Sequence, residues 1–287
     1  MMNCGLVSKT YFHCVIVMKT NDLYYEVKCR TEANNVLQSF YVGAPEEIDI
    51  EVLAKLCKLT IKYGGLDSCE GRLITNANGG IIRVGNNQSE ERRRFTIAHE
   101  IGHYRLHKEV LIIDNKQNLS SWHSRSVETE ANIFAAELLM PEFLFAAELN
   151  GKYPSMKLVN DLSKKYRTSK LATAIQMIEF TREPCNLVYS SNGQTKWCKW
   201  SKSFVEMGFY IPMSKNLHEY SLAHELCGAQ SNPTQVHVHV RTPACAWLDG
   251  YDENDRAEVW EDSVKYGDDI ISIIFVEDDI QKYRHRF

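Results

Sequence analysis

Apolar positions along this chain change rhythm several times. Near the N-terminus, Thr10–Met18 and Leu23–Cys29 are short apolar runs on either side of the polar Lys19-Thr20-Asn21-Asp22, and they predict two short strands in a β-rich extension over 1–44. From Pro45 to Lys62, Ile48, Val52, Leu53, Leu56 and Leu59 recur at helical spacing behind the acidic Glu46, Glu47 and Asp49. Gly64-Gly65 closes that pattern. Arg72–Thr75 and Gly80–Val84 flank Asn76-Ala77-Asn78-Gly79, a hairpin signal. Ser89, followed by Glu90 and Glu91, opens a helix reaching about His107, with Phe95, Ala98, His99, Gly102 and Leu106 along one face. Val127–Met140 predicts a second strong helix, stopped by Pro141. Leu158–Tyr166 and Lys170–Phe180 predict two more, joined by Arg167-Thr168-Ser169.

The pattern changes at Glu183-Pro184. Strands are expected at Asn186–Ser190 and Thr195–Trp200, around Ser191-Asn192-Gly193, and again at Val236–Val240 and Ile270–Phe275. Helices are expected near Leu217–Cys227 and Asp255–Lys265. The reading is an α+β chain in three segments: the extension 1–44, a domain over 45–182 and a smaller α+β domain over 183–287.

Composition narrows the function classes. The 287 residues suit roughly two domains. With 33 Lys+Arg against 37 Asp+Glu, the net charge of −4 argues against a strongly electrostatic nucleic-acid binder, so no direct nucleic-acid contact is expected. No apolar run approaches the roughly 18 residues of a membrane span, and the first residues do not read as a secretory leader. The nine cysteines are odd in number, scattered and without a C-x-x-C pair, which points to reduced thiols in a cytoplasmic protein.

The chemistry sits in His99-Glu100-Ile101-Gly102-His103. On a helix, positions i and i+4 project from one face, so His99 and His103 can grip one ion, and imidazole suits zinc. Glu100 can reach a water on that ion and act as general base. The motif lies on the apolar side of its helix, where two histidines and a carboxylate would be costly to bury without a metal or partners. Catalytic zinc takes a third protein ligand from another element. At about 100° per residue, Glu128 projects with Ala131, Asn132, Ala135, Leu138 and Leu139, the small and apolar face of the second helix. Glu130 projects away, toward solvent. Glu128 is therefore the chosen ligand and Glu130 the alternative. Asn132 either holds a ligating histidine's free N–H or is an ordinary helix-face amide.

Together, Arg94-Phe95-Thr96, Ala98-His99-Glu100-Ile101-Gly102-His103, His107 and Glu128-x-x-Ala131-Asn132-x-Phe134-Ala135-Ala136-x-Leu138-Leu139-Met140-Pro141 resemble the ImmA/IrrE family of metallopeptidases, best over about residues 45–150. The resemblance implies a gluzincin-like fold, with two ligand-bearing helices and a small sheet. It implies one zinc per chain held by His99, His103 and Glu128, with Glu100 as the base. It also implies an endopeptidase acting on a protein substrate, a helix-turn-helix repressor, in a stress response or mobile-element regulation. A sensor-like or regulatory C-terminal domain would accompany it. The alternative reading is a regulator that binds and displaces a repressor or defence-system partner without cutting it.

Other residues carry weaker expectations. Peptide hydrolysis needs an oxyanion donor, for which His123, Tyr104 and Arg125 are candidates. Strand Gly80–Val84 is either a half-buried strand or a sheet edge able to pair with an extended substrate. His107 is expected to pack behind the site, because a third turn of one helix diverges from a single ion. Ala223-His224-Glu225-Leu226 echoes the motif but has Gly228 at the second His position. His237 and His239 share a strand face that reads as solvated. Of Arg92-Arg93-Arg94, one Arg is expected to anchor the fold, and Trp197, Trp200, Trp247 and Trp260 to build the C-terminal core.

Overall fold

The computed structural model describes residues 20–65, 71–76, 78–107, 125–228, 239–277 and 280. The fold is mixed α+β. The described residues divide into two compact units, one of 20–145 with 162–173 and one of 146–161 with 174–280. None of the described helices is long and apolar enough to cross a membrane.

The first unit opens with helix α1, Thr20–Ser39. The expected strand Leu23–Cys29 is thus helical, while Thr10–Met18 lies outside the described residues. The local signal misled because Leu23, Tyr24 and Val27, which make the run look strand-like, are more than half exposed. What α1 buries is Cys29, Ala33, Val36 and Leu37, a stripe at helical spacing.

Asp49 caps α2 (Ile50–Leu56), accepting from the amides of Glu51 and Val52. The helix expected to run to Lys62 ends there. Lys58 takes φ 64°, a left-handed conformation that turns the chain out of the helix. Residues Leu59–Gly64 become β1, paired in parallel with β3 (Gly79–Gly85) from Leu59↔Gly80 to Gly64↔Gly85. β2 (Gly71–Asn76) pairs antiparallel with β3, as the hairpin signal predicts. The sheet order is β1-β3-β2. The strand offered as a substrate-pairing edge, Gly80–Val84, is therefore central and bonded on both sides, and this corrects that expectation. The parallel partner β1 was hidden because its sequence reads as helix.

Two long helices follow: α3 (Glu90–Leu106), capped by Ser89, and α4 (Arg125–Leu139). Ile82, Val84, Ile97, Ala98, Ile101, Phe134, Ala135 and Leu138 form one core between sheet and helices. Of the arginine run, Arg94 is the anchor. Buried, it donates both Nη groups to the Ile48 carbonyl, each at 3.2 Å, and Arg167 donates to the same oxygen.

After α5 (Glu142–Leu149), α6 (Met156–Tyr166) and α7 (Lys170–Phe180), the second unit forms an antiparallel sheet of order β5-β4-β8-β7-β6. Its strands are β4 (Cys185–Ser191), β5 (Gln194–Trp200), β6 (His239–Pro243), β7 (Glu258–Tyr266) and β8 (Asp269–Phe275). Short helices α8 (Lys202–Glu206) and α9 (Leu222–Gly228) accompany it. Asp255–Lys265, expected as helix, is mostly β7. The period-2 pattern escaped notice because polar residues occupy inward positions. Glu261 is fully buried, and its carboxylate accepts from the Leu222 and Ala223 amides, Thr242 Oγ1, Trp247 Nε1 and Ser263 Oγ. Trp247 is a core residue and Trp200 packs against that core, whereas Trp260 stacks between His239 and Arg241. His237 lies outside the described residues.

Candidate metal centre

The two long helices of the first unit pack tightly at Gly102. A Cβ there would sit 3.0 Å from Phe134 Cδ1 and 3.2 Å from the Ala131 carbonyl oxygen, so an added side chain would press on α4. The small pair Gly102 and Ala131 lets the His-bearing face of α3 meet the Glu128 face of α4.

The residues singled out in the sequence converge at this crossing. His103 Nε2 lies 2.9 Å from His99 Nε2. Glu128 Oε2 lies 3.2 Å from His99 Nε2, and its Oε1 lies 3.5 Å from His103 Nε2. Among the described residues, these three form the one group of His, Cys, Asp or Glu ligand atoms mutually close enough to share an ion, all within 4.8 Å of one another. Asn132 settles the orientation of one ring. Its Oδ1 is 2.9 Å from His99 Nδ1, so that nitrogen donates and Nε2 presents its lone pair to the cluster. Two ring nitrogens facing each other beside a carboxylate make a donor set that a divalent metal ion fits.

With protons on their Nε2 atoms, where a bound metal ion would otherwise sit, the His103 and His99 rings donate to the Glu128 carboxylate and hold it well below the usual range, more than offsetting its desolvation. Glu100 sits beside the cluster and is buried. Burial pushes its carboxyl upward, the neighbouring imidazoles oppose that, and Glu128 adds to it. This is the environment of a carboxylate poised to hold a proton.

Glu130, the alternative ligand, is not at the cluster, and the expectation that it faces solvent is corrected. It is buried, with Oε2 3.7 Å from His107 Nε2, and burial pushes its carboxyl up against the opposing charge of Lys28. The reason is α1, which covers that face of α4. Arg30 and Asn34 of α1 also donate to Glu137, which has no exposure at all. His107 is the C-cap of α3, its ring 5.8 Å from that of His103, and burial pushes it down to about 4.

Among the oxyanion candidates, Tyr104 is buried and lines a cleft of about 250 Å³ with Leu56, Cys57, Lys58 and Arg105. His123 lies outside the described residues, as does the side chain of Arg125. His224 and Glu225, the echo of the motif, are both exposed on α9. Sequence reasoning missed Gly71. A Cβ there would stand 2.4 Å from Thr96 Cγ2 and 3.0 Å from Glu100 Oε1, a contact between strand and helix that spacing along one element cannot reveal.

Comparisons agree with this geometry. The IrrE N-terminal-like domain family matches residues 47–177. The chain is 30% identical over 157 residues to the radiation response metalloprotease IrrE of Deinococcus radiodurans, a match covering 52% of this chain and 45% of that protein. The chain thus spans under half the length of that relative. A Mycobacterium tuberculosis transcriptional regulator shares the fold, with TM-score 0.54 and 12% identity over 89% of this chain and 79% of its own. The matched segment carries the small sheet, the two packed helices and the converging His, His and Glu side chains, and over that segment the chain is similar to the ImmA/IrrE family of metallopeptidases.

Proposed function

We propose that the chain is a zinc-dependent endopeptidase that acts inside the cell on one protein substrate, a helix-turn-helix repressor. The observation that carries the chemistry is the convergence of His99 Nε2, His103 Nε2 and the Glu128 carboxylate beside the buried Glu100. Zinc held by those three side chains would supply Lewis acidity to the scissile carbonyl and lower the pKa of water. Asn132 fixes the His99 ring, so the imidazole offers its lone pair without reorienting. Glu100 accepts the proton of the attacking water on a carboxylate oxygen and returns it to the leaving amine nitrogen. An extended substrate segment pairs with β2, the sheet edge whose first residue, Gly71, lies against Glu100. Buried free thiols at Cys29, Cys57, Cys185 and Cys198 support a reducing compartment. The repressor substrate rests on the family alone.

The test is zinc content together with the mass of a candidate repressor after incubation. About one zinc per chain and a shortened repressor are expected. Glu100→Gln should keep the zinc and leave the repressor intact. A repressor that is bound but never shortened by the wild-type chain would replace hydrolysis with displacement. A chain without zinc would remove the whole assignment.

A further inference from the structure

The first residue of β2 meets the candidate base directly. Gly71 faces Thr96 and Glu100, one turn apart on α3, and the places its Cβ would take lie 2.4 Å from Thr96 Cγ2, 3.0 Å from Glu100 Oε1 and 3.6 Å from Glu100 Cγ. A contact of 2.4 Å is not available to a real side chain, and Thr96 does not swing aside freely. Its Oγ1 is 3.0 Å from both Gln88 Oε1 and the Arg92 carbonyl oxygen, which fixes the methyl toward the strand. Gly71 is also locked lengthwise, because β2 is in register with β3 from Gly71↔Val84 to Asn76↔Gly79. The strand cannot slip to make room without flipping every side chain of β2 to the other face.

We propose that Gly71 is a positioning residue, whose missing side chain leaves the place that the Glu100 carboxyl occupies beside His99, His103 and Glu128. The backbone of the edge strand lies over the carboxyl like a flat wall, covers it from solvent and limits its rotamers. A methyl group at position 71 displaces Oε1 by a few tenths of an ångström or more, while His99, His103 and Glu128 stay where they are. This rests on Glu100 being the base, so its test includes a measurement that needs no substrate.

The experiment removes the Thr96 clash first. Thr96→Ser deletes Cγ2 and keeps the hydroxyl, and Gly71→Ala is then made in that background. Against Thr96→Ser alone, the double variant is expected to hold about one zinc per chain, to lose about ten-fold or more in kcat and to change little in KM. In the metal-free proteins, Gly71→Ala is expected to lower the urea midpoint clearly when Glu100 is present. That drop should at least halve when Glu100→Ala has removed the carboxyl. Unchanged kcat, or an equal drop in midpoint with and without the Glu100 side chain, would overturn the assignment. If the wild-type chain cleaves nothing, the hydrolase reading fails and the urea cycle alone decides the role of Gly71.

Discussion

Asn132 is the residue whose removal separates orientation from coordination. It is no ligand, yet it fixes the tautomer that exposes His99 Nε2. Asn132→Ala is expected to weaken zinc binding about 10- to 100-fold in competition with a chromophoric chelator. An unchanged affinity would reduce Asn132 to a packing amide. His107 gives a prediction with a defined sign. Its folded pKa, about 4, lies below the ordinary 6.5, so between those values the unfolded chain binds more protons. The contribution of His107 is complete above pH 6.5 and is lost as pH falls toward 4, up to about 3 kcal/mol. His107→Gln should flatten that part of the urea-stability profile of the metal-free protein, whereas the same slope in both proteins would contradict the burial argument.

At the scale of elements, the α3–α4 crossing and the α1–α4 contact make separate demands. Gly102→Val drives two methyl groups into Phe134 and Ala131, so it should cost about 1–3 kcal/mol and also lower zinc affinity, because the ligands sit on both helices. A variant that loses stability but binds zinc as wild type would show that the crossing does not set the ligand spacing. Glu137→Ala removes a carboxylate partner of Arg30, which keeps Glu26, and the acceptor of Asn34 and of the Glu142 amide in a buried site. It should destabilise by about 3 kcal/mol by urea unfolding while leaving zinc stoichiometry unchanged. Legibility differed among these elements for a physical reason. α3, α4, α6, α7, β2, β4, β5 and β8 announce themselves because cap, turn and periodicity agree locally. α1, β1 and β7 do not, because what they bury is decided by a partner farther along the chain: α4 for α1, β3 for β1, and α9, whose first amides bond the buried Glu261, for β7.

At the scale of the whole molecule, zinc that binds only the folded chain should raise the unfolding temperature. A hundredfold excess over Kd contributes about 2.7 kcal/mol. Chelator should reverse the gain and His99→Ala should abolish it, as read by thermal unfolding with and without zinc. No zinc-dependent shift in the wild-type chain would count against a resident metal. By itself, the sequence singled out the side chains that converge, His99, His103 and Glu128, with Glu100 beside them. The spacing of His99, Glu100 and His103 is fixed by helical geometry, and the face occupied by Glu128 and Asn132 follows from the same 100° step. Only the tertiary structure decided that Glu130 is covered by α1, that β2 is an edge strand while β3 is central, and that Gly71 lies on Glu100. Those facts concern surfaces brought together from distant parts of the chain. Periodicity reports which face of an element is buried, but not what buries it.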